Sequence, residues 1–178
     1  MIPRRTLPPR LAGSSLAATS GGIFLKTIIA ITALATALAS AGAASAEDTS
    51  AVMAPVDGFL QAFNTHAPLS PYFGPSQSVV DEFAPHHWTG PRAVRTWSAG
   101  WAAVCKAQGV TGEVGVRGAP TRIEQDARHA YVIVPIVFTY KVNGADGRED
   151  GVMSLALDHT TSGWKIAAFA WAGGKPTP

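Results

Sequence analysis

Cysteine is almost missing from this sequence. Cys105 is the only one in the chain, so no internal disulfide can brace the fold and stability has to come from packing. Charge is sparse too, and beyond the first 26 residues no run of lysine or arginine occurs. A nucleic-acid role therefore lacks its electrostatic footprint. The chain has no glycine-rich phosphate loop, no nucleophile elbow, and no defensible Ser/His/Asp or Cys/His pattern. Nucleotide binding and covalent hydrolysis are thus unsupported, and no cofactor is expected. Internal repeats and coiled-coil heptads are absent as well.

What is present begins with a leader. Residues 1–26 carry Arg4, Arg5, Arg10 and Lys26 and no acid, and the apolar run TIIAITALATALA follows from Thr27. Small residues, Ala44-Ser45-Ala46, stand just before Glu47. A basic region, an apolar region and an A-x-A site make a secretory signal peptide. Residues 1–46 are expected to be removed and residues 47–178 to form a domain exported to the periplasm or the medium. The alternative is an uncleaved anchor, since Ile23 to Ala46 could just reach across a bilayer. The alanine-rich run and the cleavage site argue against it. Once cleaved, the domain is expected to have no membrane contact. It keeps ten basic residues against twelve acidic ones, because all four charges lost are positive.

The stretch from Ala130 to Trp171 organises the rest. Three apolar runs are separated by turn signals, Asn143-Gly144 with Asp146-Gly147 and then Thr161-Ser162-Gly163. Connections this short join antiparallel neighbours, so the pattern predicts a three-strand meander. In its first strand Val132, Val134, Ile136, Phe138 and Tyr140 fill one face, while Tyr131, Ile133, Pro135, Val137 and Thr139 fill the other. Both faces are largely apolar and both need cover. Helices can take one. The second implies a partner subunit or a ligand, and a homodimer is expected.

Upstream, Val52, Val56, Phe59, Leu60 and Phe63 recur at helical spacing, and Asn64-Thr65-His66 ends that helix. A proline-rich loop follows, too irregular for regular structure, then a short strand from Gln77 to Phe83 ended by Pro85. A second helix opens near Pro91, with Thr89 or Gly90 as its cap, and carries Val94, Trp97, Trp101 and Cys105 on one face. Gly109 is placed to end it in the left-handed conformation. Gly112 to Ile123 reads as a strand weakened by Gly115, Gly118 and Pro120.

With DEFAPHHWTGPRAVRTW in the middle and GWKIAAFAWA at the end, the domain resembles the nuclear-transport-factor-2-like superfamily. Ketosteroid isomerase, scytalone dehydratase and the polyketide cyclases belong to it. The matching parts are Phe63-Asn64 at the end of the first helix, the acidic pair Asp81-Glu82, Gly90 before the second helix, and Gly163 to Ile166 opening the last strand. The resemblance implies an α+β fold, a cone-shaped curved antiparallel sheet of four to six strands wrapped around N-terminal helices. It also implies a pocket between sheet and helices that takes a small apolar molecule. Many relatives dimerise through the outer sheet face, which fits the two-sided strand. The fold hosts enzymes, binders and assembly modules alike, so it does not fix a function.

Asp81 and Glu82 are the leading candidates for chemistry. Neighbours in a strand point to opposite faces, so one of them enters the pocket. The spacing to Gly90 favours Asp81, and a shift of one position would favour Glu82. In the isomerase branch an acid at this point is the general base, and an apolar pocket would raise its pKa to suit. His86 or His87 would accompany it as an acid–base partner, as in the dehydratase branch. The alternative is a buried carboxylate that simply holds the fold together. Counting back from Phe63-Asn64, the isomerases' oxyanion-donating tyrosine is replaced by Phe59. Such a loss typically costs about 100- to 1000-fold in rate, which speaks against steroid isomerisation by that route. His86, His87 and Asp81 match no firm metal motif, and no metal is expected. Glu82, Trp88, Phe138, Tyr140 and Trp171 are the remaining candidates for contact with a ligand. A third possibility is a dimeric module whose cone is filled by side chains.

Overall fold

The computed structural model describes residues 41–174. The expected leader up to Ser40 lies outside the described residues, and the expected cleavage site falls in the first turns of helix α1, Ala41–Asn64. No described helix is long and apolar enough to cross a membrane. Helix α1 starts earlier than its apolar spacing suggests, so Pro55 stands in its interior. There the missing N–H leaves the carbonyl of Ala51 without its intrahelical partner. The predicted stripe is real: Val52, Val56, Phe59 and Leu60 are buried, and Phe63 packs against the same cluster.

A single turn of 3-10 helix, Ser70–Tyr72, leads into strand β1, Phe73–Val80. Strand β2, His87–Thr89, pairs back on it, and helix α2 runs over Ala93–Gln108. Strands β3, Val110–Arg117, and β4, Arg122–Gln125, precede the meander of β5, His129–Val142, β6, Ala145–Thr160, and β7, Gly163–Gly173. These seven strands form one curved, unclosed sheet in the order β2-β1-β7-β6-β5-β3, with β4 beside β3 on the outer edge of β5. The sheet is mixed rather than wholly antiparallel, because β1 runs parallel to β7.

Several boundaries differ from the sequence reading, each for a physical reason. Strand β1 begins inside the proline-rich stretch. Its register against β7 shifts between Phe73 and Ser78, so Pro75 sits where no ladder N–H is required. The single weak strand expected from Gly112 to Ile123 is two strands, split at Gly118-Ala119-Pro120. Only Asn143-Gly144 forms the first hairpin turn. Both residues have positive φ, 51° and 89°, as a two-residue turn matched to strand twist demands. Asp146-Gly147 therefore lies within β6, which becomes the longest strand. Helix α2 starts two residues beyond Pro91. Its N-cap Arg92 makes no side-chain cap bond. Buried Gln77 of β1 serves instead, accepting the Val94 N–H on its Oε1 at 3.1 Å and donating through Nε2 to the Gly74 carbonyl at 3.0 Å. Gly109 caps the far end with φ 68°.

The core lies between the concave sheet face and the two helices. Val132, Val134 and Ile136 of β5 meet Met153, Leu155 and Leu157 of β6 and Ile166 and Phe169 of β7. Each fully buried aliphatic side chain of this kind contributes about 1.5–3 kcal/mol relative to exposure. Asn64 ties α1 to the sheet. Its amide donates to the Gly115 carbonyl and accepts the Gly115 N–H, both at 2.8 Å, as another strand would. The convex face is different: Tyr131, Val116 and Val152 stand 41%, 60% and 43% exposed.

Candidate functional site

Beyond the packed core, the concave face and the helices enclose a cavity of about 490 Å³. Phe59 and Phe63 of α1 and Trp97 and Trp101 of α2 form one wall. Phe138 and Tyr140 of β5 with Trp171 of β7 form the other. Three of these rings lie flat because the neighbouring strand carries glycine beneath them. A Cβ on Gly115 would stand 2.7 Å from the Phe138 ring, one on Gly147 2.4 Å from Tyr140, and one on Gly151 2.3 Å from Trp171. Aromatic rings laid over bare backbone line the sheet without filling the space above it. The same glycines help the sheet bend.

Asp81 lines this space and is 8% exposed. Its Oδ2 accepts the Trp97 indole N–H at 2.7 Å and its Oδ1 the backbone N–H of Glu82 at 2.6 Å. Burial holds its carboxyl above the usual 3.8. The bonds from Trp97 and Glu82 pull the other way without cancelling that effect. Both acids of the pair line the cavity. The alternation expected of a strand does not apply, because β1 stops at Val80 and the chain turns. Asp81 N–H bonds the His86 carbonyl at 3.1 Å, and His86 N–H bonds the Phe83 carbonyl at 2.8 Å.

Neither expected histidine partner hydrogen-bonds the carboxylate. The His86 ring lies 3.3 Å from the backbone carbonyl of Asp81, and His87 faces Ser78 Oγ at 3.1 Å on the exposed side of β2. Trp88 is buried, but it packs on Phe83 with ring centroids 4.9 Å apart and does not line the cavity. Glu82, Phe138, Tyr140 and Trp171 do. Phe59 lies deep in the wall, edge-on to Phe73 and tilted against Phe169, each at 5.4 Å, and offers no donor. Among the described residues no group of three or more His, Cys, Asp or Glu side chains is disposed to hold a metal. Cys105 is buried, and burial together with the neighbouring Glu113 carboxylate pushes its thiol up to about 12, so it stays a neutral thiol.

Glu149 belongs to this site and escapes a sequence reading that ends the first hairpin at Gly147. It opposes Phe138 in the β5–β6 register and so shares the concave face with Met153, Leu155 and Leu157. Its Oε1 is buried and has no hydrogen-bond partner. Burial and the nearby charges of Glu82 and Asp81 raise its pKa, against a bond from Trp171. Gly173 N–H donates to Glu82 Oε1 at 2.5 Å, which brings the end of β7 to the same spot.

No protein-family model matches the chain, and no curated protein sequence matches it significantly. Solved structures do. A hexachlorocyclohexane dehydrochlorinase from Novosphingobium barchaimii matches with a TM-score of 0.64 at 12% identity, over 75% of this chain and 91% of the other. A ketosteroid isomerase-like protein from Erwinia carotovora atroseptica gives 0.58 at 14%, over 74% and 98%. A nuclear transport factor 2-like superfamily protein from Salmonella enterica serovar Typhimurium gives 0.60 at 16%, over 75% and 96%. The fold is that of the nuclear-transport-factor-2-like proteins. At such identities the likeness extends to the fold alone.

Proposed function

We propose that the protein is an exported domain that holds a small apolar molecule in its cone. The observation that carries this reading is the aromatic-walled cavity of about 490 Å³, within the range of pockets that bury most of a small ligand's surface. An open cone favours a binder over a module whose cone is filled by side chains. Native mass spectrometry of the protein purified from its own host tests the proposal. A mass above that of the polypeptide, lost on denaturation and recovered as a small molecule, is the expected result. Repeated preparations at the bare polypeptide mass, with nothing extractable, would overturn it.

A second reading is favoured by one observation, the raised pKa of buried Asp81 at the cavity wall. It makes Asp81 a base for proton transfer from a carbon acid, a role in keeping with the dehydrochlorinase and isomerase-like names among the structural neighbours. Neither His86 nor His87 hydrogen-bonds the Asp81 carboxylate. Trp97 and the Glu82 N–H hold the geometry of that carboxylate.

A further inference from the structure

The ionisable groups of the cavity carry one sign. Asp81, Glu82, Glu113 and Glu149 line it, and among the described residues no lysine, arginine or histidine does. Carboxylates in an aromatic cavity are costly to desolvate unless something positive meets them. Two of the four have partners that account for them. Asp81 accepts from Trp97 and Glu82 N–H, and Glu113 pairs with the Cys105 thiol.

Glu82 is exposed, and Glu149, although bonded by Trp171, keeps one buried oxygen without a donor. A Cβ built on Gly173 would lie 1.7 Å from Glu149 Oε1 and 2.5 Å from Glu82 Oε1. Two carboxylate oxygens thus converge on the bare backbone of one glycine, and after burial the Glu82 carboxylate is the next cause that raises the Glu149 pKa. Glu82 Oε1 receives the Gly173 N–H, whereas Glu149 Oε1 is buried without any donor. Aromatic rings stand beside this pair. Trp171 meets Phe138 edge-on at 5.0 Å, and ring faces attract cations.

Resting on the reading that the cone binds a small molecule, we propose that its ligand is an apolar amine. The ammonium group sits between Glu82 and Glu149, and the apolar body lies along Phe138, Trp171 and the helix wall. An ammonium offers three N–H donors and no acceptor, so it supplies the donor that Glu149 Oε1 lacks and separates two like charges in one step. A metal ion would leave the aromatic wall unused. A neutral ligand would leave the carboxylate pair unrelieved.

Calorimetric titration of the full chain at neutral pH with naphthylmethylamine, naphthylmethanol and naphthoate tests this, because the three share a body and differ in the head group. The amine is expected to bind at least about tenfold more tightly than the alcohol, and naphthoate not measurably. Glu149→Gln should remove most of that preference by weakening the amine alone. If that variant fails to fold, Glu82→Gln, at an exposed residue, is read in the same way. Equal affinities for amine and alcohol, or a preference untouched by either substitution, overturns the amine assignment and leaves the cone standing as a pocket. Failure of all three probes to bind overturns the pocket reading together with it.

Discussion

At the scale of single residues, Asp81 combines two properties that usually exclude one another. It accepts hydrogen bonds on both oxygens, as a structural anion does, yet its pKa lies above the ordinary 3.8 because burial dominates. The folded protein therefore holds this proton more tightly than the unfolded chain. Stability from this group is fullest below 3.8 and is lost as pH rises from there through the folded value. Two smaller causes act in opposite directions, Glu82 raising the Asp81 value and His86 lowering it. Asp81→Asn removes the titration and one acceptor. Denaturant titrations between pH 3 and pH 8 should show a fixed offset plus a gap that moves in the mutant's favour as pH climbs. A mutant that loses ground with rising pH would mean that Asp81 is simply a structural anion, and the proton-transfer reading would fail. Gln77 gives a plainer test. Truncation to Ala leaves the Val94 N–H and the Gly74 carbonyl buried without partners, and should cost about 1–3 kcal/mol in chemical denaturation.

Elements show how much the sequence discloses. The meander, both helices and the Gly109 cap are legible because hydrophobic period and turn chemistry are local properties. The two strand faces are legible for the same reason: Val132, Val134 and Ile136 are buried as their alternation predicts. Glu149 is hidden by one ambiguous signal. Asn-Gly and Asp-Gly are both hairpin dipeptides, and only strand pairing decides that Asn143-Gly144 turns while Asp146-Gly147 continues. With that settled, counting back from Met153 in steps of two places Glu149 on the inner face. The fates of Asp81 and Glu82 could not be counted at all, since they depend on where β1 stops. The pairing of Gly147 with Tyr140 yields a prediction of its own. Gly147→Ala forces the Tyr140 ring off the strand and into the cavity. Ligand affinity should fall at least about tenfold in titration, while overpacking costs about 1–3 kcal/mol in stability. Adding Tyr140→Ala should restore much of the affinity. Unchanged binding in the single mutant would show that the ring has room to move elsewhere.

For the whole molecule the open question is the convex face. Tyr131 and Val152 lie exposed there, and Ala168, Ala170 and Ala172 of β7 stand in register with Ala156, Ser154 and Val152 of β6. These residues make the surface largely apolar, and exposed apolar patches mark interaction sites. Sedimentation at micromolar concentration is expected to give twice the monomer mass, and Val152→Lys should return the monomer. A clean wild-type monomer would show that the face is left to solvent. Export is tested separately. N-terminal sequencing of the protein recovered outside the cytoplasm should begin at Glu47 or within a few residues of it, and intact Met1 in the membrane fraction would point to an anchor.

The parallel seam between β1 and β7 has a consequence for the order of events along the chain. Of the described strands β1 is made first and β7 last, yet β2 and β1 join the sheet only through β7. The bond from Gly173 to Glu82 spans 91 residues. Closing such a loop is an entropic cost met before its contacts reward it. Strands β1 and β2 therefore have no sheet to join until β7 has been made. A chain built this way stays open until its last strand exists. That is the condition in which a protein can still be threaded through a narrow channel.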